Sequence, residues 1–340
     1  MSLVKKSVRF FKNFGKLFIA AGKGFAEDRV TKLSAALAYY TIFSITPLII
    51  ILISVTSIIW GSAATEDKLF SEIKEFVGTE AAKQIQDFVA HASLSGKSNI
   101  ALAIGIISLI VGATAIFTEI QDSINLIWKV KAVPKKGWLK MLTNRLLSFS
   151  LIASMGFLLL VSLVINSIVV GLGNRLEDYV PEVSSLLVLV LTNALTLAVV
   201  TGIFTIIFKV LPDVILRWRT AIVGALFTAV LFSLGKYLIG IYIEKGDPGS
   251  AFGAAGSIIV ILVWIYYTSI ILYFGAEFTQ AYAEKYEDGI QPTHYAVHTK
   301  TVVIEKDVDV LPAQHPEETN DTPEEQEEAK EEAKEEAKKA

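Results

Sequence analysis

The run SIIVILVWIYYTSIILYFGAEFTQAY (Ser257–Tyr282) is 26 residues long and holds a single charge, Glu277. A helix rises about 1.5 Å per residue, so this run is long enough to cross a hydrocarbon core about 30 Å thick. Its apolar residues are continuous and do not alternate with period two, which favours a helix over a barrel strand. Working outward, five further runs read the same way: 37–60, 100–128, 146–172, 184–208 and 219–243. With 257–282 they predict six spans. The whole chain of 340 residues is 53% apolar and only 19% charged, against about 25% charged in ordinary soluble chains. A soluble enzyme, a secreted disulfide scaffold and a disordered chain are all disfavoured. There is no Cys, which excludes a disulfide framework, an iron–sulfur cluster and a thiolate zinc site.

Charge divides the chain. Residues 1–282 hold 24 Lys/Arg against 17 Asp/Glu, whereas 283–340 hold 7 against 17. Within the first part the basic residues also divide by loop. Segments 1–36, 128–145 and 209–219 carry 17, and the alternate loops 61–99, 173–183 and 244–256 carry six. Basic loops stay on the cytoplasmic side. The reading is an all-α polytopic membrane helix bundle with six transmembrane helices and both termini cytoplasmic.

Three segments flank or interrupt the spans. Residues 1–36 form a cytoplasmic basic amphipathic segment. Phe10, Phe14, Leu17, Ala21 and Phe25 recur at helical spacing among lysines. That pattern predicts a helix on the inner membrane surface with its cations near anionic lipid heads. The plainer reading is a cytoplasmic helix packed on the bundle. No apolar core with a small-residue cleavage site precedes it, so no cleaved signal peptide is expected. In loop 61–99, Leu69, Phe70, Ile73, Phe76 and Val77, then Ile85, Phe88 and Val89, predict two short amphipathic helices. They either cover the outer mouth or lie at the interface. Residues 283–340 read as an acidic, largely disordered cytoplasmic tail, rich in proline and charge and poor in apolar surface.

Polar groups inside a bilayer are costly and therefore informative. Glu119, Gln121, Asp122 and Asn125 form one broad helical face in the cytoplasmic third of the second span. Glu277 reaches a similar depth in the sixth span, and Tyr39, Tyr40 and Ser44 do so in the first. Arg145, Arg217 and Arg219 stand at the nearby boundary. The expected arrangement pairs carboxylates with arginines as a candidate inner polar layer. It is either a gate or headgroup site, or a set of ion pairs that fixes helix packing. A candidate outer layer comprises Asn166, Asn193 and Lys236. Lys236 stands roughly 10 Å from its outer helix end. It either snorkels outward or faces the interior, available to an anionic ligand. Pro47, mid-span, removes a helical hydrogen bond and predicts a kink and a candidate hinge.

The chain has no Walker-type GxxxxGK[ST] run, no GxGxxG after a strand and no HExxH. Its four histidines are His91, His294, His298 and His315, one in the outer loop and three in the tail. No catalytic residues, no metal site and no cofactor are expected, and the chain does not read as an enzyme.

The motifs SAALAYYTIFSITPL (Ser34–Leu48), GATAIFTEIQDSINLIW (Gly112–Trp128), LPDVILRWRTAIVGALF (Leu211–Phe227), Lys236 and Tyr242, FGAAGS (Phe252–Ser257) and WIYYTSIILYFGAEFT (Trp264–Thr279) occur in this order. Together, over about 25–285, they resemble the YihY/BrkB family of bacterial inner-membrane proteins, also called ribonuclease BN-like. The resemblance brings no catalytic residues to carry over. It implies an integral inner-membrane protein, moving a lipid or another amphipathic anion. The ribonuclease label fits poorly. Metal-dependent RNA hydrolysis needs His and Asp gathered around ions, and no basic groove with stacking aromatics is legible for nucleic acid. The expected partners are membrane lipids and an anionic or lipid substrate, without nucleic acid. The alternative is a non-transporting membrane scaffold that recruits partners. The oligomeric state stays open.

Overall fold

The structure is a computed structural model that describes residues 3–44, 74, 79, 81–86, 99–133, 181–246, 256–287 and 289–300, with helical positions between 150 and 169. Its helices are α1 (Leu3–Glu27), α2 (30–44), α3 (Asn99–Ile127), α4 (Pro181–Val210), α5 (Trp218–Gly246) and α6 (Gly256–Tyr286). The described part of the chain is mostly helical. Among the described residues, three helical stretches are long and apolar enough to cross a membrane: Leu186–Val210, Trp218–Gly246 and Gly256–Tyr286. These correspond to the last three expected spans.

The helix boundaries follow local chemistry. Pro181 opens α4, where its missing N–H costs no helical bond. Lys209 in the last turn of α4 donates to the Leu216 carbonyl and lies over the Trp218 ring. A cation at a helix C-terminus also meets the helix dipole favourably. Arg29, between α1 and α2, and Lys129, just past α3, have φ of 52° and 56°. This left-handed backbone is uncommon for non-glycine residues and commonly ends a helix.

Helices α5 and α6 interlock through a reciprocal pair. Gly224 lies under Thr279 and Gly275 lies under Thr228, so a Cβ on either glycine would collide with the opposing threonine. Each threonine hydroxyl is satisfied inside its own helix. Thr228 Oγ1 donates to the Gly224 carbonyl at 2.8 Å, and Thr279 Oγ1 to that of Gly275 at 2.7 Å. Small residues at such crossings let apolar helices pack closely where no hydrophobic effect drives them together. Further along, Gly235 admits Tyr267. On the other side, Gly112 of α3 admits Ser44 of α2.

Helix α1 packs on α6 through Leu17, Ala21 and Phe278. Around them Phe14, Phe18, Phe227, Phe274 and Phe278 form an aromatic cluster, with Phe227 and Phe278 stacked at 3.8 Å. The Lys285 ammonium donates to the Asn13 carbonyl at 3.1 Å. Leu17 and Ala21 therefore face the bundle, while Phe18 and Ile19 remain exposed. In loop 61–99, the helical piece 81–86 packs Ile85 against Ala38, Ile261 and Ile265.

Two short antiparallel pairs accompany the helices among the described residues. Strand β1 (Val130–Ala132) pairs with β4 (Ala296–His298), with Lys131 opposite Val297. Strand β2 (Val214–Ile215) pairs with β3 (Gln291–Pro292). The strand pairs continue the ordered fold past 283. Helix α6 runs on to Tyr286, and the next residues satisfy their backbone groups on the two loops they meet. The Val133 N–H donates to the Tyr295 carbonyl at 2.8 Å and that of Thr299 to the Lys129 carbonyl at 2.8 Å. The chain divides after Thr299 into two units, Met1–Thr299 and Lys300–Ala340, and the first carries every element named above. Pro47, Asn166, Arg145, most of loop 61–99, residues 251–255 and the tail from 301 lie outside the described residues.

Candidate functional site

The first polar cluster is built where α4 ends. Pro212 cannot continue the helix, and Asp213 turns inward to 3% exposure. Its Oδ2 accepts from Asn125 Nδ2 at 2.9 Å and from Gln121 Nε2 at 3.1 Å, and its Oδ1 accepts from the Tyr295 hydroxyl at 3.0 Å. The Asp213 N–H donates to Asn125 Oδ1 at 2.9 Å, so the amide of Asn125 grips Asp213 from both ends. The Asp213 carbonyl accepts from the Thr293 N–H at 3.0 Å. One carboxylate thus ties together α3, the α4–α5 turn and the β3–β4 segment. Hydrogen bonds to an ionised acceptor are the strong kind, and they offset the cost of burying it.

The second cluster joins α1, α3 and α6. Glu277 is 4% exposed. Its carboxylate lies against Gly24 of α1, in the space a Cβ would fill. One turn on from Gly24, just past α1, Asp28 forms an ion pair with Lys129. Asp28, Glu27 and Lys129 are the charged groups that face Glu277. Glu277 Oε1 has no hydrogen-bond partner among the described residues. Next to Glu277, the Ala276 carbonyl accepts from Trp128 Nε1 at 3.0 Å, which fixes α3 on α6. On α3, Glu119 Oε1 accepts from the Ser123 hydroxyl at 3.3 Å.

The expected inner layer is therefore gathered in part. Gln121, Asn125 and Glu277 are buried, and Glu119 is half-buried. Asp122 lies on the exposed side of α3. Tyr39 is 60% exposed and packs edge-on against Tyr40 and at a tilt against Phe43, so it points away from this layer. Ser44 is buried, but it sits at Gly112 and donates to the Tyr40 carbonyl at 2.9 Å. Gly112 is seven residues from Glu119, or about 10 Å along α3. Arg217 and Arg219 are exposed at the start of α5. Among the described residues Asp28 pairs with Lys129, and neither Arg217 nor Arg219 forms an ion pair.

The expected outer layer is not gathered among the described residues. Asn193 is exposed and donates to the Leu189 carbonyl at 2.8 Å, within its own helix. Lys236 is half-buried on α5. Asn166 and the hinge candidate Pro47 fall outside the described residues. Among the described residues no three His, Cys, Asp or Glu side chains group to hold a metal.

Sequence reasoning missed Asp213, Tyr295, Asp28, Lys129 and Gly24. Asp213 had a signal, since it is an acid set in the apolar motif LPDVIL directly after a helix-stopping proline. Gly24 had none, because its role depends on a partner more than 250 residues away.

A family model described as virulence factor BrkB matches residues 21–298. That stretch takes in both clusters and ends with β4. A UPF0761 membrane protein of Alteromonas mediterranea is 28% identical over 269 residues, 77% of this chain and 86% of the relative. One from Tolumonas auensis is 29% identical over 268 residues, 76% of this chain and 82% of the relative. A longer one from Pseudomonas aeruginosa is 28% identical over 259 residues, 74% of this chain and 59% of the relative. No solved structure matches the chain.

Proposed function

The chain belongs to the virulence factor BrkB family of membrane proteins, and from that premise we propose that it translocates a lipid or another amphipathic anion across the bacterial inner membrane. The observation that carries this reading is the segregation of charge at one end of the bundle. The acids Asp213 and Glu277 are turned inward, while Arg217 and Arg219 are exposed beside Trp218. An anionic headgroup arriving at that end meets cations and an amphipathic ring first. The protein acts without catalytic chemistry, metal or cofactor in this reading, and lipids are its partners.

The reading includes six spans with cytoplasmic termini. Helix ends support the count. The ends of α3 and α4 and the start of α5 meet the segment after α6 through the two strand pairs. Asp28, just before α2, meets Lys129 at the end of α3. Helix α2 leaves that end, and Ser44 already lies beside Gly112, 16 residues before Trp128. Between the end of α3 and the start of α4 the chain must return to the opposite end, and 146–172 is the apolar run available. The 17 to 6 distribution of basic residues supports the orientation.

Reconstitution into liposomes with a panel of labelled lipids tests the proposal. Protein-dependent movement of an anionic lipid between leaflets is expected. Leaflet exchange no faster than in protein-free liposomes, for every lipid of the panel, overturns it. The scaffold reading draws on a different observation, the Gly224–Thr279 and Thr228–Gly275 interlock, which leaves α5 and α6 in direct contact.

A further inference from the structure

We infer that Glu277, together with Asp28, forms a binding site for a single monovalent cation, a proton or an alkali ion, at the junction of α1, α3 and α6. Three observations meet there. First, the carboxylate of Glu277 is buried, yet its Oε1 has no hydrogen-bond partner among the described residues. Elsewhere in this protein a buried acid is fully served, as the donors on Asp213 demonstrate. Second, charge does not balance at the junction. Asp28, whose side chain is 9% exposed, already holds Lys129, whose side chain is 40% exposed. One ammonium faces the buried carboxyl of Glu277 and the largely covered carboxyl of Asp28, with Glu27 beside them. An uncompensated buried charge is costly, and it is relieved by a proton or a counter-ion. Third, the space is built for the carboxylate. Gly24 leaves out the Cβ that would occupy its position.

The groups facing Glu277 come from two helix ends: Glu27 and Asp28 from the end of α1 and just past it, and Lys129 from the end of α3. Helix α5 meets α6 on another face, through Gly224 and Thr228. When the cation is bound, Lys129 serves Asp28 and the cation serves Glu277. When it leaves, the two carboxylates compete for one lysine. Both Lys129 and Arg29, the neighbour of Asp28, sit in left-handed backbone, so the pair is held by strained turns on either side. The inference stands on this cluster alone and holds for a translocator and a scaffold alike.

Thermal unfolding of the full-length protein in detergent provides the test. Sodium replaces choline at constant ionic strength in one titration, and pH is lowered in choline in the other. Wild type should gain a shift on the order of several degrees in one titration. A gain with sodium identifies an alkali ion, and a gain only on acidification identifies a proton. Glu277→Gln, already neutral, should lose that gain and start near the loaded wild-type value. Asp28→Asn frees Lys129 for Glu277 and should lose the gain as well, so it carries the test if Glu277→Gln does not fold. The inference is overturned if wild type responds to neither titration. It is equally overturned if a folded variant responds as wild type does.

Discussion

Gly24 of α1 lies directly beneath the carboxylate of Glu277 on α6, in a contact that only a residue without a Cβ permits. The approach sets how closely the first helix sits on the last. It also encloses a carboxyl group whose Oε1 has no hydrogen-bond partner among the described residues. Gly24→Ala should push the carboxylate aside and destabilise the protein by about 1–3 kcal/mol, the usual cost of overpacking. Thermal unfolding of both single variants and of Gly24→Ala/Glu277→Ala checks the mechanism. Removing the carboxylate should rescue most of the loss, so the two changes should be strongly non-additive. Additive losses would mean that Gly24 matters for some reason other than Glu277.

The Asp213 cluster predicts where the chain can be shortened. Ending it after Thr299 removes a segment with little apolar surface, and detergent-extracted stability should hardly change. Ending it after Gly289 removes β3, β4 and the Tyr295 hydroxyl that serves Asp213. That deletion should lower the midpoint clearly. Asn125→Leu should act in the same direction, because it strips Asp213 of a buried donor, a loss of about 1–3 kcal/mol. Equal stability of the two truncated chains would refute the role given to the strands.

These residues also mark the limit of what the sequence could disclose. Long apolar runs declare themselves, since a span is a local property of about 20 residues. The i, i+4 pair Gln121 and Asn125 was readable as one polar face for the same reason. Their acceptor was not. Asp213 meets Asn125 across 88 residues, and Tyr295 meets Asp213 across 82. Helical periodicity says which way a side chain points and not what stands opposite. The ion pair of Lys129 with Asp28 was not legible either, because it depends on a left-handed turn past the helix and a partner 101 residues away. Strands of two or three residues leave no period to detect.

The absence of cysteine makes topology directly measurable. Single cysteines at Ser62 or Gly96 should react with a membrane-impermeant reagent in intact spheroplasts. Cysteines at Ser2 or Ala340 should react only after the membrane is opened. Reaction at either terminus in intact spheroplasts would overturn the cytoplasmic assignment.

Lys236 separates two readings of the expected outer layer. It is half-buried on α5. If its charge serves an anionic ligand, Lys236→Arg should keep part of the lipid movement and Lys236→Met should abolish it with folding intact. If the side chain snorkels to headgroups, Lys236→Met should be nearly neutral. Full activity in Lys236→Met discards the ligand role.

Arg217 and Arg219 carry the last prediction. They are exposed at the start of α5, on either side of Trp218, and neither forms an ion pair among the described residues. An exposed basic residue near an anionic membrane surface contributes about 1 kcal/mol. Replacing both with glutamine should therefore reduce selection of an anionic over a zwitterionic lipid by roughly 30-fold in reconstituted liposomes. The wild-type preference should itself fade in about 1 M salt, where the screening length falls to about 3 Å. Lys209 supplies the control. Its ammonium is already committed to the Leu216 carbonyl and the Trp218 ring. Lys209→Met should lower the unfolding midpoint while leaving lipid preference unchanged. If the double glutamine variant keeps its preference, the exposed arginines do not receive the headgroup. If Lys209→Met alone removes the preference, the headgroup is received inside the turn and not on its surface.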